Sequence, residues 1–388
     1  MLLVATCMIP LSSRAADVYL EPSVSISGGY DENRRLDPEE PDGQTGLELI
    51  GEAEAGWRTR TREAVFNAAA HVNRYSDSEL DSTDWFLDLD LLRRWRRDEV
   101  GLFASYRRAS TVTTELEDTG RLRGDRIRKD WTVSPSWTHK LSRRTETTLD
   151  YAFTDVMFQD GEANGLFDYR EHFIESRLFH RLDRLTGVYG TAEYTRFDSE
   201  SDTTSDDVSV LVGVERELSR VLTVGAAIGA QYSETDSPNA EGGPARSTDD
   251  GFIYEGSAEW TFQRSVLTAE AARSVESSGV GSLSVVDTLS ATWTRALTRQ
   301  WDLNINGSAS WREFQPAGGG VSEDRVYYDA EARLEWHGLP RWGVDLSYRY
   351  RRQEFDDPGD GAVTEDTADS SAVWLTLRYR WARMDLFR

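Results

Sequence analysis

The chain has 388 residues, a formal net charge of -24, and 13 Trp, 15 Tyr and 14 Phe. So many aromatic residues exclude a disordered acidic chain, and the negative charge argues against nucleic acid as a partner. No run approaches the roughly 18 consecutive apolar residues of a membrane-spanning helix, which excludes a polytopic helical protein.

Residues 1–16 form a short apolar run that ends in small residues. Ser13-Arg14-Ala15 fits a small-x-small cleavage site, so we expect 1–16 to be a signal peptide and 17–388 to be the exported barrel. No Lys or Arg precedes Arg14, and we therefore expect the true start to lie further upstream. Cys7 is the only cysteine. Cleavage would remove it and leave a chain without disulfides.

From Leu20 to Trp381, segments of about ten residues alternate apolar and polar side chains. In residues 301–311 every odd-numbered position is apolar or Gly, and every even-numbered one is Asp, Asn or Ser. Eighteen such segments predict an all-β fold in a single domain, an up-and-down antiparallel transmembrane β-barrel. Two of them, near 170–181 and 265–274, alternate poorly.

The connections are alternately long and short, which places long loops outside the cell and short turns in the periplasm. The long loops are acidic and the short turns basic. Two explanations stay open: solvated loops that bridge lipopolysaccharide phosphates through divalent cations, or a basic rim that collects an anionic polymer for an acidic mouth to expel. The predicted periplasmic rim consists of Arg58, Arg60, Arg62, Arg96, Arg97, Arg143 and Arg144.

The polar register of the strands predicts a wet and charged lumen. Early strands contribute mainly carboxylates and the last strands arginines, and closure of the barrel brings these sectors together. The charges either satisfy one another and stiffen the wall or set what passes through the pore. The predicted pore-lining residues are Glu48, Glu52, Glu54, Asp88, Asp90, Glu255, Glu259, Glu331, Arg333, Glu335, Arg349, Arg351, Arg378 and Arg380.

No pattern typical of catalysis accompanies these residues. The two histidines that share a strand, His172 and His180, are eight residues apart, about 26 Å in a strand and too far to share an ion. Neither a Gly-x-Ser-x-Gly elbow nor a phosphate-binding Gly loop occurs. We therefore expect no catalytic residue, no metal site and no cofactor, and we expect that the protein is not an enzyme. A catalytic Ser-His or Asp-His pair assembled from distant strands stays open.

The aromatic end of the first segment, followed by acidic and Asn residues in 19–33, and the closing segment 373–381 resemble a known family. They are similar to the proteobacterial outer-membrane porins associated with exopolysaccharide synthesis and export. The resemblance implies a Gram-negative outer-membrane pore through which a nascent polysaccharide crosses, with a periplasmic polysaccharide export protein as partner. Outer-membrane lipid and lipopolysaccharide would surround it.

Two other functions remain as alternatives: a general or solute-specific diffusion porin, and a structural or adhesive surface barrel. A diffusion porin should carry a constriction loop folded into the lumen. The third long loop, 115–126, has mixed charge and moderate length and is a poor candidate for one, which favours the wide conduit. The lumen groups expected to contact an anionic chain are Arg333, Arg349, Arg351, Arg378 and Arg380.

Overall fold

The computed structural model describes residues 16–38, 41–112, 114, 126–161, 165–238, 244–279, 282–314, 324–356 and 366–386. Residues 1–15 of the predicted signal peptide lie outside this part of the chain, as does nearly all of the third long loop. The first strand begins at Asp17, directly after the predicted cleavage site.

Eighteen long strands form the wall within the described residues, which confirms the predicted number. A two-residue strand, β19 (Met384–Asp385), follows them, and one 3-10 turn (Ser78–Leu80) lies between β3 and β4. No helix among the described residues is long and apolar enough to cross a bilayer. The long strands are β1 (Asp17–Asp31), β2 (Gln44–Arg58), β3 (Arg62–Tyr75), β4 (Ser82–Arg94), β5 (Asp98–Ser110), β6 (Ile127–Lys140), β7 (Thr145–Phe158), β8 (Tyr169–Arg181), β9 (Thr186–Ser199), β10 (Thr204–Ser219), β11 (Leu222–Pro238), β12 (Pro244–Phe262), β13 (Ser265–Ser278), β14 (Ser282–Ala296), β15 (Trp301–Phe314), β16 (Asp324–Leu339), β17 (Trp342–Asp356) and β18 (Asp366–Arg380).

Consecutive strands pair antiparallel, and β1 also pairs with β18 from Ser23↔Arg380 to Asp31↔Ala372, which closes the sheet. The seam continues past Trp381, because β19 pairs with the beginning of β1. This pairing leaves neither the first nor the last long strand as a free sheet edge, as strands that cross lipid require. We call the end where β1 finishes and β2 starts the outer end.

Alternation along the strands separates an apolar exterior from a polar interior. On β10, Val210 and Val212 are 53% and 61% exposed, whereas Asp207 and Ser209 on the other face are 6% and 4% exposed. An apolar outer band flanked by aromatic girdles is typical of barrels that cross the bacterial outer membrane, and this protein is one of them. Exposed Trp rings lie near both ends of the band: Trp85, Trp131 and Trp311 near the outer end, and Trp95, Trp137, Trp260, Trp301, Trp342 and Trp381 near the other.

Candidate functional site in the barrel lumen

The outer part of β13 separates from β12, its neighbour in the wall of the barrel. β12 and β13 pair only from Phe262↔Ser265 to Tyr254↔Arg273. Beyond that point β13 pairs with β14 alone as far as Ser278, and β12 continues to Pro244 with only β11 beside it. The wall is therefore split between β12 and β13 at its outer end. β14 stays paired with β15 as far as Ser284↔Phe314. We call residues 274–279 and 282–284 the inward hairpin.

The inward hairpin lies inside the barrel and contacts β7, β8 and the β7–β8 connection. The Ser277 hydroxyl donates to Glu171 Oε2 at 2.5 Å, and the Phe167 amide donates to the Gly279 carbonyl at 2.9 Å. Since β9–β12 lie between β8 and β13 in the wall, the hairpin passes in front of these four strands. The apolar anchor is a buried cluster of Val156, Phe158, Leu166, Tyr169, Phe197 and Leu283, against which Val275 packs.

A buried arginine braces the base of the inward hairpin. Arg312 on β15 donates from Nη1 to Ser284 Oγ and from Nη2 to Glu276 Oε2, both at 2.8 Å. One side chain therefore links the two arms of the hairpin to the neighbouring wall. Apolar packing at the tip and charged hydrogen bonds at the base hold the hairpin across the lumen.

A second segment folds inward at the seam. The residues after β1 turn back over β16–β18, with Leu36 packed against Tyr327 and Ala368. Gln353 Nε2 donates to the Leu36 carbonyl at 2.7 Å. Leu36 has a positive φ of 51°, a conformation that is uncommon outside glycine and is held here by this packing.

No protein-family model and no curated protein matches the sequence. Among solved structures, the outer membrane protein opdK from Pseudomonas aeruginosa is similar, with a TM-score of 0.47 at 11% identity over 93% of this chain and 99% of that one. OccK11 (OpdR) from the same organism has a TM-score of 0.44 at 10% identity, over 95% of this chain and 99% of that one. The copper transporter OprC has a TM-score of 0.46 at 8% identity, over 95% of this chain and 84% of that one. The barrel architecture is established independently by the strand pairing and the apolar exterior.

The predicted acidic residues of β2 and β4 share one inner face. Glu48 accepts from the Tyr75 hydroxyl at 2.8 Å, Glu52 from Ser23 at 2.9 Å and Glu54 from Tyr19 at 2.5 Å. A hydroxyl donor holds a carboxylate without cancelling its charge, so this sector of the wall stays negative. A recess of about 460 Å³ opens here and is lined by Glu21, Glu52, Glu54, Asn67, Phe86, Asp88 and Arg380, among others.

The remaining predicted acidic residues have different surroundings. Asp90 lies on the same inner face of β4 as Asp88, two residues further along the strand. Glu255 is 3.5 Å from the Tyr189 hydroxyl, and Glu259 accepts from Thr261 at 3.2 Å. Glu335 accepts from Asn304 Nδ2 at 2.8 Å. Glu335 also lies 3.5 Å from Nε2 of His337.

The predicted lumen arginines are mostly paired with carboxylates. Arg333 lies 2.7 Å from Glu331, Arg349 lies 2.5 Å from Asp329 and Arg378 lies 2.7 Å from Asp345. Arg351 pairs with Asp31 and is buried, so its guanidinium does not face the open lumen. Arg380 instead lines the recess in the acidic sector, where the first and last strands adjoin. Contact of these arginines with an anionic chain stays a prediction.

The predicted basic rim lies at the end opposite the inward hairpin. All seven arginines are exposed in or beside the β2–β3, β4–β5 and β6–β7 turns. Arg58 pairs with Glu63 at 2.7 Å. Binding of an anionic polymer or partner by this rim stays a prediction.

Sequence reasoning missed the residues that the inward hairpin brings together with β8–β12. The missed residues are spread over five strands, and a sixth strand, β12, carries Glu255, which was predicted to line the lumen. Their polar register was visible in the sequence, but β8 and β13 alternate too poorly to have singled them out. The missed residues are Glu171, Glu193, Asp207, Gln231 and Glu276.

Proposed function

We propose that the protein is a diffusion porin for small solutes, with a lumen narrowed by the inward hairpin. The supporting observation is the detachment of β13 from β12 and the contact of the hairpin tip with β8. Barrels of about 16–18 strands are wide enough for an aqueous channel. An element that crosses such a channel limits the size of what passes.

A polysaccharide conduit is the less favoured function. A polymer needs a wide continuous path through the lumen, and the inward hairpin takes up part of the lumen at the outer end. Neither the described residues nor the similar structures supply support for a polysaccharide chain or an export protein as partner. That reading therefore rests on the sequence resemblance alone.

Planar bilayers and liposome swelling test the proposal. The purified barrel should conduct ions and admit small sugars with a sharp size limit. Replacing residues 274–284 with a Gly-Ser turn should raise conductance by about twofold or more, because the lumen widens. The control makes the same replacement of residues 200–202, in the turn between β9 and β10 at the same end of the barrel, and should leave conductance unchanged. A wild-type barrel that does not conduct would contradict the proposal.

Gene deletion separates the two functions. A diffusion porin predicts unchanged exopolysaccharide at the cell surface and slower uptake of small solutes. Loss of surface polymer with accumulation in the periplasm would contradict the porin and favour the conduit.

A further inference from the structure

The inward hairpin encloses a recess against the wall behind it. The recess has a volume of about 490 Å³ and lies between β13 and the inner faces of β8–β12. Its size suits a small organic molecule. The polar groups that line it and carry the argument are Glu171, Glu193, Asp207, Gln231, Glu255 and Glu276.

Most carboxylates of this recess are held by hydroxyl groups. Ser209 donates to Glu193 at 2.6 Å and Ser233 donates to Asp207 at 2.5 Å, and Glu171 accepts from the hairpin itself. These hydrogen bonds orient the carboxylates and leave their negative charge. Among the recess carboxylates only Glu276 has a salt bridge within the described part of the chain, with Arg312 at 2.8 Å. The recess is therefore negative and preorganised.

Gln231 supplies an independent sign of a ligand. Its side chain lines the recess and is only 7% exposed, yet its amide has no hydrogen-bond partner among the described residues. The amide atoms themselves are not fully buried, so the amide reaches the recess and is available to a ligand as both donor and acceptor. Beside it in the register is Gly251 on β12, where an added Cβ would meet nothing within 4 Å. The space beside Gln231 on the inner face of β12 is therefore open.

We propose that this recess binds an organic cation that carries amine or guanidinium groups. Several N–H donors would reach the separated carboxylates, and the Gln231 carbonyl would accept one more. A metal ion fits less well, because no group of three or more His, Cys, Asp or Glu in the described residues is arranged to hold one. The inference rests on the proposed function only for the route by which the solute reaches the recess.

Spermidine binding to the refolded barrel in an uncharged detergent tests this site by titration calorimetry. The double variant Glu193→Gln/Glu255→Gln should raise Kd by about tenfold or more, because two nearby charges are lost. The matched control, Glu52→Gln/Glu54→Gln, removes two lumen charges outside the recess and should raise Kd by less than about threefold. Gln231→Met keeps the side-chain volume and should also weaken binding.

The outcomes separate the recess from general charge attraction and from conduction. If the recess and control variants lose spermidine affinity equally, the inference is overturned. It is also overturned if the wild-type barrel does not bind spermidine at millimolar concentration. A heat-modifiability gel establishes that each variant is folded. If the double variant Glu193→Gln/Glu255→Gln does not fold, Gln231→Met tests the site in its place. If the barrel conducts ions but does not bind spermidine, the proposed binding site is wrong and the porin proposal stands. Binding without conductance would support the site and contradict the porin.

Discussion

Arg351 and Asp31 form a buried ion pair between strands that are not neighbours. Nη2 of Arg351 lies 2.8 Å from Oδ2 of Asp31, and the two side chains are 8% and 3% exposed. β18 separates β17 from β1 in the sheet, so the pair spans the strand that closes the barrel. Ser370 on β18 also donates to Asp31. The closing seam is therefore fastened from the inside by charged hydrogen bonds.

Replacing Asp31 with Asn should destabilise the barrel strongly. The change leaves the Arg351 guanidinium buried without a counter-charge, which costs about 3–5 kcal/mol. Urea unfolding in detergent micelles measures the change in free energy. The control, Asp236→Asn, breaks an ion pair in which Arg246 is 61% exposed, and should lower the free energy of unfolding far less, because water screens an exposed pair. If the two variants lose equal free energies of unfolding, the Arg351–Asp31 pair does not fasten the seam.

The double variant Asp329→Asn/Asp345→Asn should shift permeation toward anions. Each Asn keeps the size of the side chain and removes the charge that neutralises Arg349 or Arg378. The ratio of cation to anion permeability should fall by about two- to fivefold. Reversal potentials in a salt gradient measure it. Asp206→Asn, on the outer face beside Tyr194, is the control and should not change the ratio.

The strands could be predicted because the membrane imposes a rule on every one of them. One face meets lipid and the other meets water, so β10 has Val at every second position from Val208 to Val214 on the lipid face and Ser209 on the other. This rule gave the number of strands, the inner positions of the charged residues and the adjacency of the first and last strands. It holds locally and needs no knowledge of distant contacts.

The inward hairpin could not be predicted in the same way. Its position depends on contacts such as Ser277 with Glu171, which are 106 residues apart. One local signal was present: consecutive Val285 and Val286 break the alternation, and both are buried. A segment with apolar side chains on both faces does not fit a wall between lipid and water. The sequence instead directed attention to the loop at 115–126, which lies almost entirely outside the described residues.

Charge on the lipid face should be poorly tolerated. Ile228 is 63% exposed near the middle of β11, directly opposite Val212. Ile228→Arg places a guanidinium in the hydrocarbon core and should lower the free energy of unfolding by about 2–4 kcal/mol. Thr223→Arg, on the lumen face of the same strand, is the control and should cost much less. Unfolding of both variants in lipid vesicles measures the difference, and similar losses would contradict the assigned faces.

Leu283→Ala should loosen the inward hairpin without opening the barrel. Leu283 belongs to the buried cluster that anchors the hairpin tip, and its truncation should weaken that anchor by about 2–5 kcal/mol. We expect single-channel currents to fluctuate between the normal level and a higher one, because the hairpin then leaves the lumen part of the time. Leu289→Ala makes the same change on the same strand at a side chain that is 51% exposed toward lipid, and its currents should match those of the wild type. Steady, unchanged currents in Leu283→Ala would mean that the hairpin does not set the width of the conducting path.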